Sequence, residues 1–347
     1  MSSAIISKKA DLAFIILPSF LVISFVILAN MFGLNPTGVN PIWWLLVVVF
    51  IDVSHVWSTL FRTYFHKMAY KEFEKELVLI PIIVWTIGSV IHSYDGRWFW
   101  CLMAYMALFH FVKQQIGILK LYLRREKSEK RKAFDVFCLY LFILAPIIHW
   151  HLNTKKFNWF VAGDFFSFQI PYLENITWFL YGIFLLAFII SEIIHRKTFN
   201  GFKFMHIIGT LLIWLLGIVI YDDDWSFTLT NIVHHGIPYM ALIWFSTYNK
   251  DYQGKIKLVT RIFRSSQAIA LIFFILFLGS LGFLEEFLWD GFVWHDHDSV
   301  FFGLDLPEVT DQTLAWLVPL LSVPQITHYV LDGIIWKRDR KVQDFPY

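Results

Sequence analysis

The sequence predicts an all-α protein, a polytopic bundle of about ten transmembrane helices. Two features of its composition support this class: 57% of the 347 residues are hydrophobic and only 16% are charged, and the mean hydropathy is +0.58. Such values lie outside the range of ordinary soluble domains. In addition, apolar stretches of about 20 residues, enough to cross roughly 30 Å of hydrocarbon, recur between short polar breaks.

The ten predicted spans follow one another with few residues between them. In chain order they are 12–34, 41–63, 77–93, 98–121, 134–152, 176–194, 203–220, 226–247, 266–285 and 313–336. Gly96 marks the division between the third and fourth spans, and the acidic run 222–224 divides the seventh from the eighth. The first stretch exceeds the apolar core of a signal peptide and is followed by no small-residue cleavage site, so we expect a retained helix.

The distribution of basic residues predicts how the spans are oriented. Lys and Arg are concentrated in alternate breaks, at 62–75, 124–132, 196–203 and 250–264, whereas the other breaks are neutral or acidic. Short cytoplasmic loops are enriched in these residues. Both termini are also basic, with Lys8 and Lys9 at the start and 337–341 at the end. We therefore expect a multi-pass protein of a bacterial inner membrane with both termini in the cytoplasm.

No soluble domain is predicted apart from the bundle, so 1–347 is expected to form a single integral membrane domain. The longest outer breaks, near 153–175 and 286–312, are rich in Phe and Trp and are expected to be short caps. A net charge of +2, with Lys and Arg scattered among loops, excludes a nucleic-acid partner. The only two cysteines, Cys101 and Cys138, are too few for a disulfide framework or a thiolate metal site.

Polar side chains inside four of the spans are the candidates for function, because an ionisable group in hydrocarbon costs at least about 2–3 kcal/mol. These residues are Asp52 and His55 on the second span, His110 and Lys113 on the fourth, His234, His235 and Tyr239 on the eighth, and His328 and Asp332 on the tenth. Spacings of three and four place such residues on one helix face. Adjacent residues diverge by about 100°, so only one of His234 and His235 is expected to face a shared centre.

Depth along the helices brings the candidate histidines into one layer. All four spans run from the outer to the inner side, and their histidines lie about 8 to 15 residues from the outer ends, a spread of roughly 10 Å. Four neutral imidazoles in a dry bundle suit a borderline divalent metal, and iron, zinc and copper are all chemically acceptable. The alternative interpretation is that each histidine only hydrogen-bonds a neighbouring helix.

Charged residues beside these histidines are the predicted supporting groups. Asp52 and Asp332 each lie within one turn of a histidine and are expected to fix its tautomer. Lys113 is expected to pair with one of these carboxylates or to bind an anionic group, and Tyr239 is a further catalytic candidate. A second histidine run, WHDHDS at 294–299, is expected to be a solvated outer loop rather than a metal site.

The four segments resemble short motifs of the Brp/Blh family, the bacterial membrane β-carotene 15,15'-dioxygenases. The corresponding pieces are DVSH at His55, FHF at His110, VHHG at His234 and His235, and THYVLD at His328 and Asp332. The chain lacks the proline and glycine that flank the family's first histidine, and its paired histidines are adjacent rather than one turn apart. The resemblance implies iron held by histidines and oxidative attack on a lipophilic polyene.

These observations favour a membrane-embedded non-haem iron oxygenase. It would use O₂ on a lipophilic small molecule, carotenoid-, retinoid- or lipid-like, that enters from the surrounding membrane lipid. Two alternatives stay open: a proton-coupled transporter or channel that uses the same histidines and Lys113, and a non-catalytic membrane scaffold. The sequence indicates no protein partner.

Overall fold

The helical class predicted from the sequence is confirmed by a computed structural model of the chain. The structure describes residues 4–34, 41–153, 155–248, 252–297, 299–301, 303 and 306–336. Within these ranges the chain is helical and forms no β-strand beyond an isolated antiparallel bridge between His66 and Gly254.

Ten long helices occupy the ten predicted positions. They are α1 (Lys8–Met31), α2 (Pro41–Arg62), α3 (Glu74–Tyr94), α4 (Gly96–Arg125), α5 (Glu129–Leu152), α6 (Leu173–Ile194), α7 (Gly201–Ile220), α8 (Asp224–Thr247), α9 (Gln267–Trp294) and α10 (Asp311–Ile335). Short helices Lys67–Glu72 and Lys257–Phe263 precede α3 and α9.

Nine of these ten helices, within the described residues, are long and apolar enough to cross a membrane. The exception is α8, whose apolar character is reduced by Asn231, His234 and His235 near its middle. This helix inventory is that of a membrane protein. The orientation expected from loop charge remains a prediction, and the basic segment 337–341 lies outside the described residues.

Side-chain caps explain where several of the helices begin. In each case a Ser, Thr or Asn oxygen accepts a hydrogen bond from the backbone N–H three residues on, which satisfies one of the free donors of the first turn. The capping residues are Ser7 for α1, Ser128 for α5, Asn200 for α7, Ser266 for α9 and Thr310 for α10.

Four of the long helices contain a π-helical segment, which inserts extra residues into a turn and rotates the faces that follow. In α2 this segment is Leu45–Val53, so that Asp52 lies within it and His55 lies just after it. The others are Leu12–Ile16 in α1, Leu215–Ile220 in α7 and Asp290–Trp294 in α9.

The described residues of Met1–Gly38 and Ala107–Pro238 form one compact unit, called unit 1 here. In this unit α5 packs against α6 and α7, and α7 also packs against α1. A buried ion network joins three of these helices: Lys203 Nζ of α7 lies 2.8 Å from Asp135 Oδ2 of α5 and 2.5 Å from Glu192 Oε1 of α6. Arg131 lies 3.1 Å from the same Glu192 oxygen.

The described residues of Val39–Met106 and Tyr239–Tyr347 form the second compact unit, unit 2. Here α9 packs against α2, and α10 packs against both α2 and α3. An aromatic core supports α2 from its buried side; it includes Phe61, Tyr239, Phe263 and Phe274. The C-terminal half of α2 is thus held by packing contacts, and it is the half that carries His55.

The C-terminal end of α9 extends to Trp294, beyond the end predicted near 285. Acidic residues at the predicted end and in the added turns are buried rather than solvated. Glu285 accepts a hydrogen bond of 2.6 Å from Trp57 Nε1, and Asp290 Oδ1 accepts from the N–H groups of Asp296 and His297 at 2.9 Å. These bonds explain why a charged stretch continues as helix.

Candidate metal centre

In unit 2 the packing of α2 against α10 brings His55 and His328 together. Their ring centroids are 5.0 Å apart and the rings are nearly perpendicular, at 78°. Both side chains are buried, each with 2% of its surface exposed. The Tyr239 ring stands edge-on to both imidazoles, with centroid distances of 5.8 Å to His55 and 4.9 Å to His328.

In unit 1 a second pair has the same geometry. The ring centroids of His110 on α4 and His235 on α8 are 4.9 Å apart, with an interplanar angle of 81°. Phe111 stacks on the His235 ring at 4.2 Å. One turn after His110, Gln114 Nε2 donates a 2.8 Å hydrogen bond to the His235 carbonyl, which fixes α4 against α8 at this level. Both histidines are buried.

His55, His110, His235 and His328 form a buried group that is suited to binding a metal ion. Each contributes one ring nitrogen, and the four nitrogens lie within 4.8 Å of one another. Two nitrogens bound to one ion at about 2.1 Å are at most about 4.2 Å apart. The 4.8 Å limit on the separations in this group is therefore close to what a common ion requires. We call these residues the four-histidine group.

The donor set of this group is chemically uniform. Four imidazole nitrogens match the ligand preferences of iron, zinc and copper, and they exclude calcium and magnesium, which require oxygen ligands. Neither cysteine of the chain belongs to the group. Burial favours the neutral form of each imidazole, because a buried charge is costly. Only the neutral form has a lone pair that can bind a metal.

His234 lies outside the group although it adjoins His235. Its Nδ1 is 2.7 Å from Ser19 Oγ and its Nε2 is 2.9 Å from Thr210 Oγ1. The Thr210 hydroxyl donates to the His206 carbonyl at 2.8 Å, so Thr210 accepts from His234 Nε2–H. Ser19 then donates to Nδ1, and the network assigns His234 as the neutral Nε2–H tautomer. With both nitrogens bonded to hydroxyls, His234 has no lone pair left for a metal.

The structure gives a contact for each of the two predicted carboxylates. Asp52 Oδ1 lies 3.6 Å from His55 Nδ1, which is longer than a hydrogen bond. Asp332 Oδ1 accepts a 2.6 Å hydrogen bond from Trp336 Nε1. The expectation that these two carboxylates fix the tautomers of His55 and His328 stays a prediction.

Thr59, which spacing alone did not single out, is a direct partner of His328. Thr59 Oγ1 is 2.8 Å from His328 Nδ1 and 3.1 Å from the Tyr239 hydroxyl. One signal was present in the sequence: Thr59 lies four residues after His55 and so shares its helix face. The structure thereby places Tyr239, a predicted catalytic residue, in the same hydrogen-bonded set as a candidate ligand.

Lys113 is not brought into the four-histidine group. Its side chain is exposed, and its ammonium lies 5.8 Å from the centre of the Phe109 ring. On α4 it is Gln114, four residues after His110, that turns toward His235. The pairing of Lys113 with Asp52 or Asp332, or its binding of an anionic group, stays a prediction.

The described residues of the WHDHDS run are held in place by stacking and hydrogen bonds. His297 stacks on Trp44 with ring centroids 3.9 Å apart, and its Nδ1 is 3.3 Å from Asp290 Oδ1. His295 and Asp296 are exposed. Asp298 of the same run lies outside the described residues. The contacts of His297 are accounted for by the turn itself.

Comparison of the chain with protein-family models, with curated proteins and with solved structures returns no match.

Proposed function

We propose that this chain is a membrane-embedded metalloenzyme in which His55, His110, His235 and His328 bind one iron ion, and that it oxidises a lipophilic substrate with O₂. The observation that carries the proposal is the convergence of four buried imidazole nitrogens within 4.8 Å. Zinc and copper fit the same donor atoms and are distinguished by the experiment below.

The positions of the ring nitrogens in the four-histidine group support metal binding. His234 has a hydroxyl against each ring nitrogen, which is how a buried histidine is satisfied by neighbouring helices. In the four-histidine group the imidazoles face one another edge to face, with centroids about 5 Å apart in each unit, and one ring nitrogen of each lies near the nitrogens of the others. Neutral imidazoles gathered in this way present lone pairs to a common centre, and a cation stabilises that arrangement.

Iron is favoured by the number of ligands and by the short-motif resemblance to the Brp/Blh family. Structural zinc sites are usually closed tetrahedra that include cysteine, whereas non-haem iron enzymes keep coordination positions open beside their histidines. Bound iron would supply electron transfer and Lewis-acid chemistry. Oxidative cleavage of a carbon–carbon double bond by O₂ gives two carbonyl products and needs no separate reductant.

The surrounding residues suit a substrate that is soluble in the bilayer. Tyr239 and Phe111 cover imidazoles of the group with aromatic rings, and three of the four helices that carry the histidines, α2, α4 and α10, are long and apolar. This environment excludes water from the reacting centre, so that reactive species are protected from hydrolysis. A lipophilic molecule reaches such a site from the membrane rather than from solution.

Elemental analysis of protein purified from metal-replete cells tests the proposal. We expect about one iron per chain in the wild type and a background level in His55→Ala, with both variants folded by circular dichroism. His297→Ala is the matched control, because this histidine is on the outer turn and should leave the iron content unchanged. A wild-type protein that is folded and metal-free overturns the proposal, and stoichiometric zinc or copper overturns its assignment to iron.

A further inference from the structure

Thr59 makes hydrogen bonds to both His328 and Tyr239, and all three side chains are buried. A buried threonine hydroxyl in a membrane helix commonly bonds to its own backbone. Thr63, one turn further along the chain, does so, with Oγ1 2.7 Å from the Thr59 carbonyl. The Thr59 hydroxyl instead contacts a candidate metal ligand on another helix, His328 of α10.

The placement of Thr59 follows from helix periodicity on α2. His55 and Thr59 are four residues apart and lie on one stripe, one turn above the other. α2 therefore supplies a candidate ligand and, one turn away, a hydroxyl that contacts a second candidate ligand. Both residues belong to unit 2, as do His328 and Tyr239.

The hydrogen-bond donors and acceptors of this set can be assigned in one direction. A metal-bound imidazole nitrogen carries no proton, so a neutral histidine ligand carries its proton on the other nitrogen. Because His328 Nδ1 contacts Thr59, Nε2 is the atom that coordinates, and Nδ1–H donates to Thr59 Oγ1. The Thr59 hydroxyl then donates to the Tyr239 oxygen at 3.1 Å.

A carboxylate ends this chain of donors. The Tyr239 hydroxyl hydrogen-bonds Asp332, and a carboxylate accepts without donating. Trp336 Nε1 donates to the same carboxylate at 2.6 Å, and the Arg62 guanidinium lies 4.2 Å from the Trp336 ring. Because the Asp332 carboxylate can only accept, the Tyr239 hydroxyl donates to it and the Thr59 hydroxyl donates to the Tyr239 oxygen. Thr59 Oγ1 therefore accepts from His328 Nδ1–H.

The geometry points to Thr59 as a positioning residue of the metal site: through Tyr239 and Asp332 it holds His328 in the Nδ1–H tautomer with Nε2 available to the ion. This inference rests on the proposed function. Asp332 thus acts on His328 through two intervening hydroxyls, where the sequence spacing suggested direct contact. Partners that orient a ligating histidine typically contribute 10–100-fold to metal affinity.

Titration of the apo protein in detergent with Co²⁺ tests the role of Thr59, because the visible bands of bound cobalt report the ligand geometry. Thr59→Val removes the hydroxyl and keeps the shape. We expect about 10–100-fold weaker binding and a shifted band, whereas Thr59→Ser should bind nearly as the wild type does. Thr63→Val is the matched control, since the Thr63 hydroxyl bonds only along its own helix turn, and it should bind Co²⁺ as the wild type does.

The outcomes separate this inference from the proposed function. A folded wild-type protein that takes up no Co²⁺ overturns the metal site itself. If the wild type binds and Thr59→Val has the same affinity and spectrum, only the positioning role is overturned; equal loss in Thr59→Val and Thr59→Ser overturns it as well. If Thr59→Val does not fold, Tyr239→Phe provides the test, because it removes the hydroxyl that accepts from Thr59. An unshifted cobalt spectrum in Tyr239→Phe would overturn the positioning role.

Discussion

At the residue scale, the environment of each imidazole decides its chemistry, and His234 and His235 show this most directly. They are adjacent on α8, so a rotation of about 100° around the helix separates them. That rotation places His234 between two hydroxyls, from Ser19 and Thr210, and places His235 beside His110. One histidine is bonded to two hydroxyls, and the other belongs to the four-histidine group.

Substitutions at this pair should separate the two roles. We expect His235→Ala to reduce metal affinity by more than the 10–100-fold typical of an orienting partner, because it removes a ligand. His234→Gln, which keeps one donor and one acceptor, should retain the metal. Metal-to-protein ratios of the two variants after identical purification provide the measurement. Loss of metal from His234→Gln but not from His235→Ala would show that the roles are reversed.

The sequence identified the four histidines because periodicity and depth are local properties of each helix. It could not identify the partner of His328, because Thr59 is 269 positions away in the chain and a threonine in a membrane span is unremarkable by itself. It also left His234 and His235 as alternatives, since choosing between adjacent faces requires knowing which helices surround α8. The spacing of residues in the sequence does not predict contacts between distant segments.

At the scale of the element, the packing of α5, α6 and α7 depends on the ion network around Lys203. This lysine is buried with two carboxylates, Asp135 and Glu192, within hydrogen-bond distance. Removing one partner of such a buried set leaves uncompensated charge, which costs about 3–5 kcal/mol. No spacing in the sequence indicates that these three residues meet.

Replacement of Lys203 by Met should therefore destabilise unit 1 strongly. We expect a loss of about 3–5 kcal/mol, seen as a lower midpoint of thermal unfolding in detergent. Lys132→Met is the control, because Lys132 pairs with Glu129 on the exposed face of α5 at 2.7 Å and such pairs contribute about 0–1 kcal/mol. Equal midpoints for the two variants would contradict a stabilising role for the network.

The short helix Lys67–Glu72, in a predicted cytoplasmic loop, should respond to pH through its cap. His66 Nδ1 accepts a 3.2 Å hydrogen bond from the Ala69 N–H, which requires an unprotonated nitrogen. Burial, followed by the nearby Arg62 charge, lowers the pKa of His66. The unfolded histidine therefore binds a proton more readily. The stability that this cap contributes is present above about pH 6.5 and is lost as the pH falls through the folded pKa.

Hydrogen exchange of the 67–72 amides between pH 7.5 and 5 measures this effect after correction for intrinsic exchange rates. We expect protection at Ala69 to fall on acidification in the wild type. His66→Asn keeps a capping oxygen that does not titrate, so its protection should be independent of pH. A wild-type profile that is flat across this range would rule out titration of the cap.

The ends and irregularities of the helices were less predictable than their positions. α9 continues to Trp294 because Asp290 accepts the N–H groups of Asp296 and His297, a bond set that depends on the turn that follows. The π-helical segment Leu45–Val53 likewise carries no distinctive composition. Such features depend on tertiary contacts. An apolar run in the sequence predicts the approximate length of a helix but not the residue at which its last turn ends.

At the scale of the whole molecule, the class of protein follows from composition, while its division into units does not. Hydropathy and loop charge are sums over many residues, so one atypical residue changes them little. The all-α membrane class was therefore predictable from the sequence. Each compact unit, by contrast, combines segments that are far apart in the chain, namely Met1–Gly38 with Ala107–Pro238 and Val39–Met106 with Tyr239–Tyr347. No break in hydropathy marks two of the three boundaries between these segments, because Met106 and Pro238 lie inside α4 and α8.

The proposed activity is testable in whole cells, where the membrane, the metal supply and O₂ are all present. Cells that accumulate a polyene such as β-carotene should form shortened aldehydes when they express the wild type, because cleavage of one double bond by O₂ leaves a carbonyl on each fragment. His55→Ala removes one ligand of the four-histidine group and should abolish product. His297→Ala changes only the outer turn, and product should persist in that variant.

The pattern across these three strains, analysed by chromatography of lipid extracts at matched protein levels, distinguishes the parts of the proposal. Equal product from the wild type and His55→Ala would mean that the oxidation does not depend on the four-histidine group. If the wild type contains iron and leaves the polyene intact, the metal site stands and the polyene class is overturned. The same strains then test other membrane lipids, because a buried site reached from the bilayer selects first for lipophilicity and only then for the bond that is oxidised.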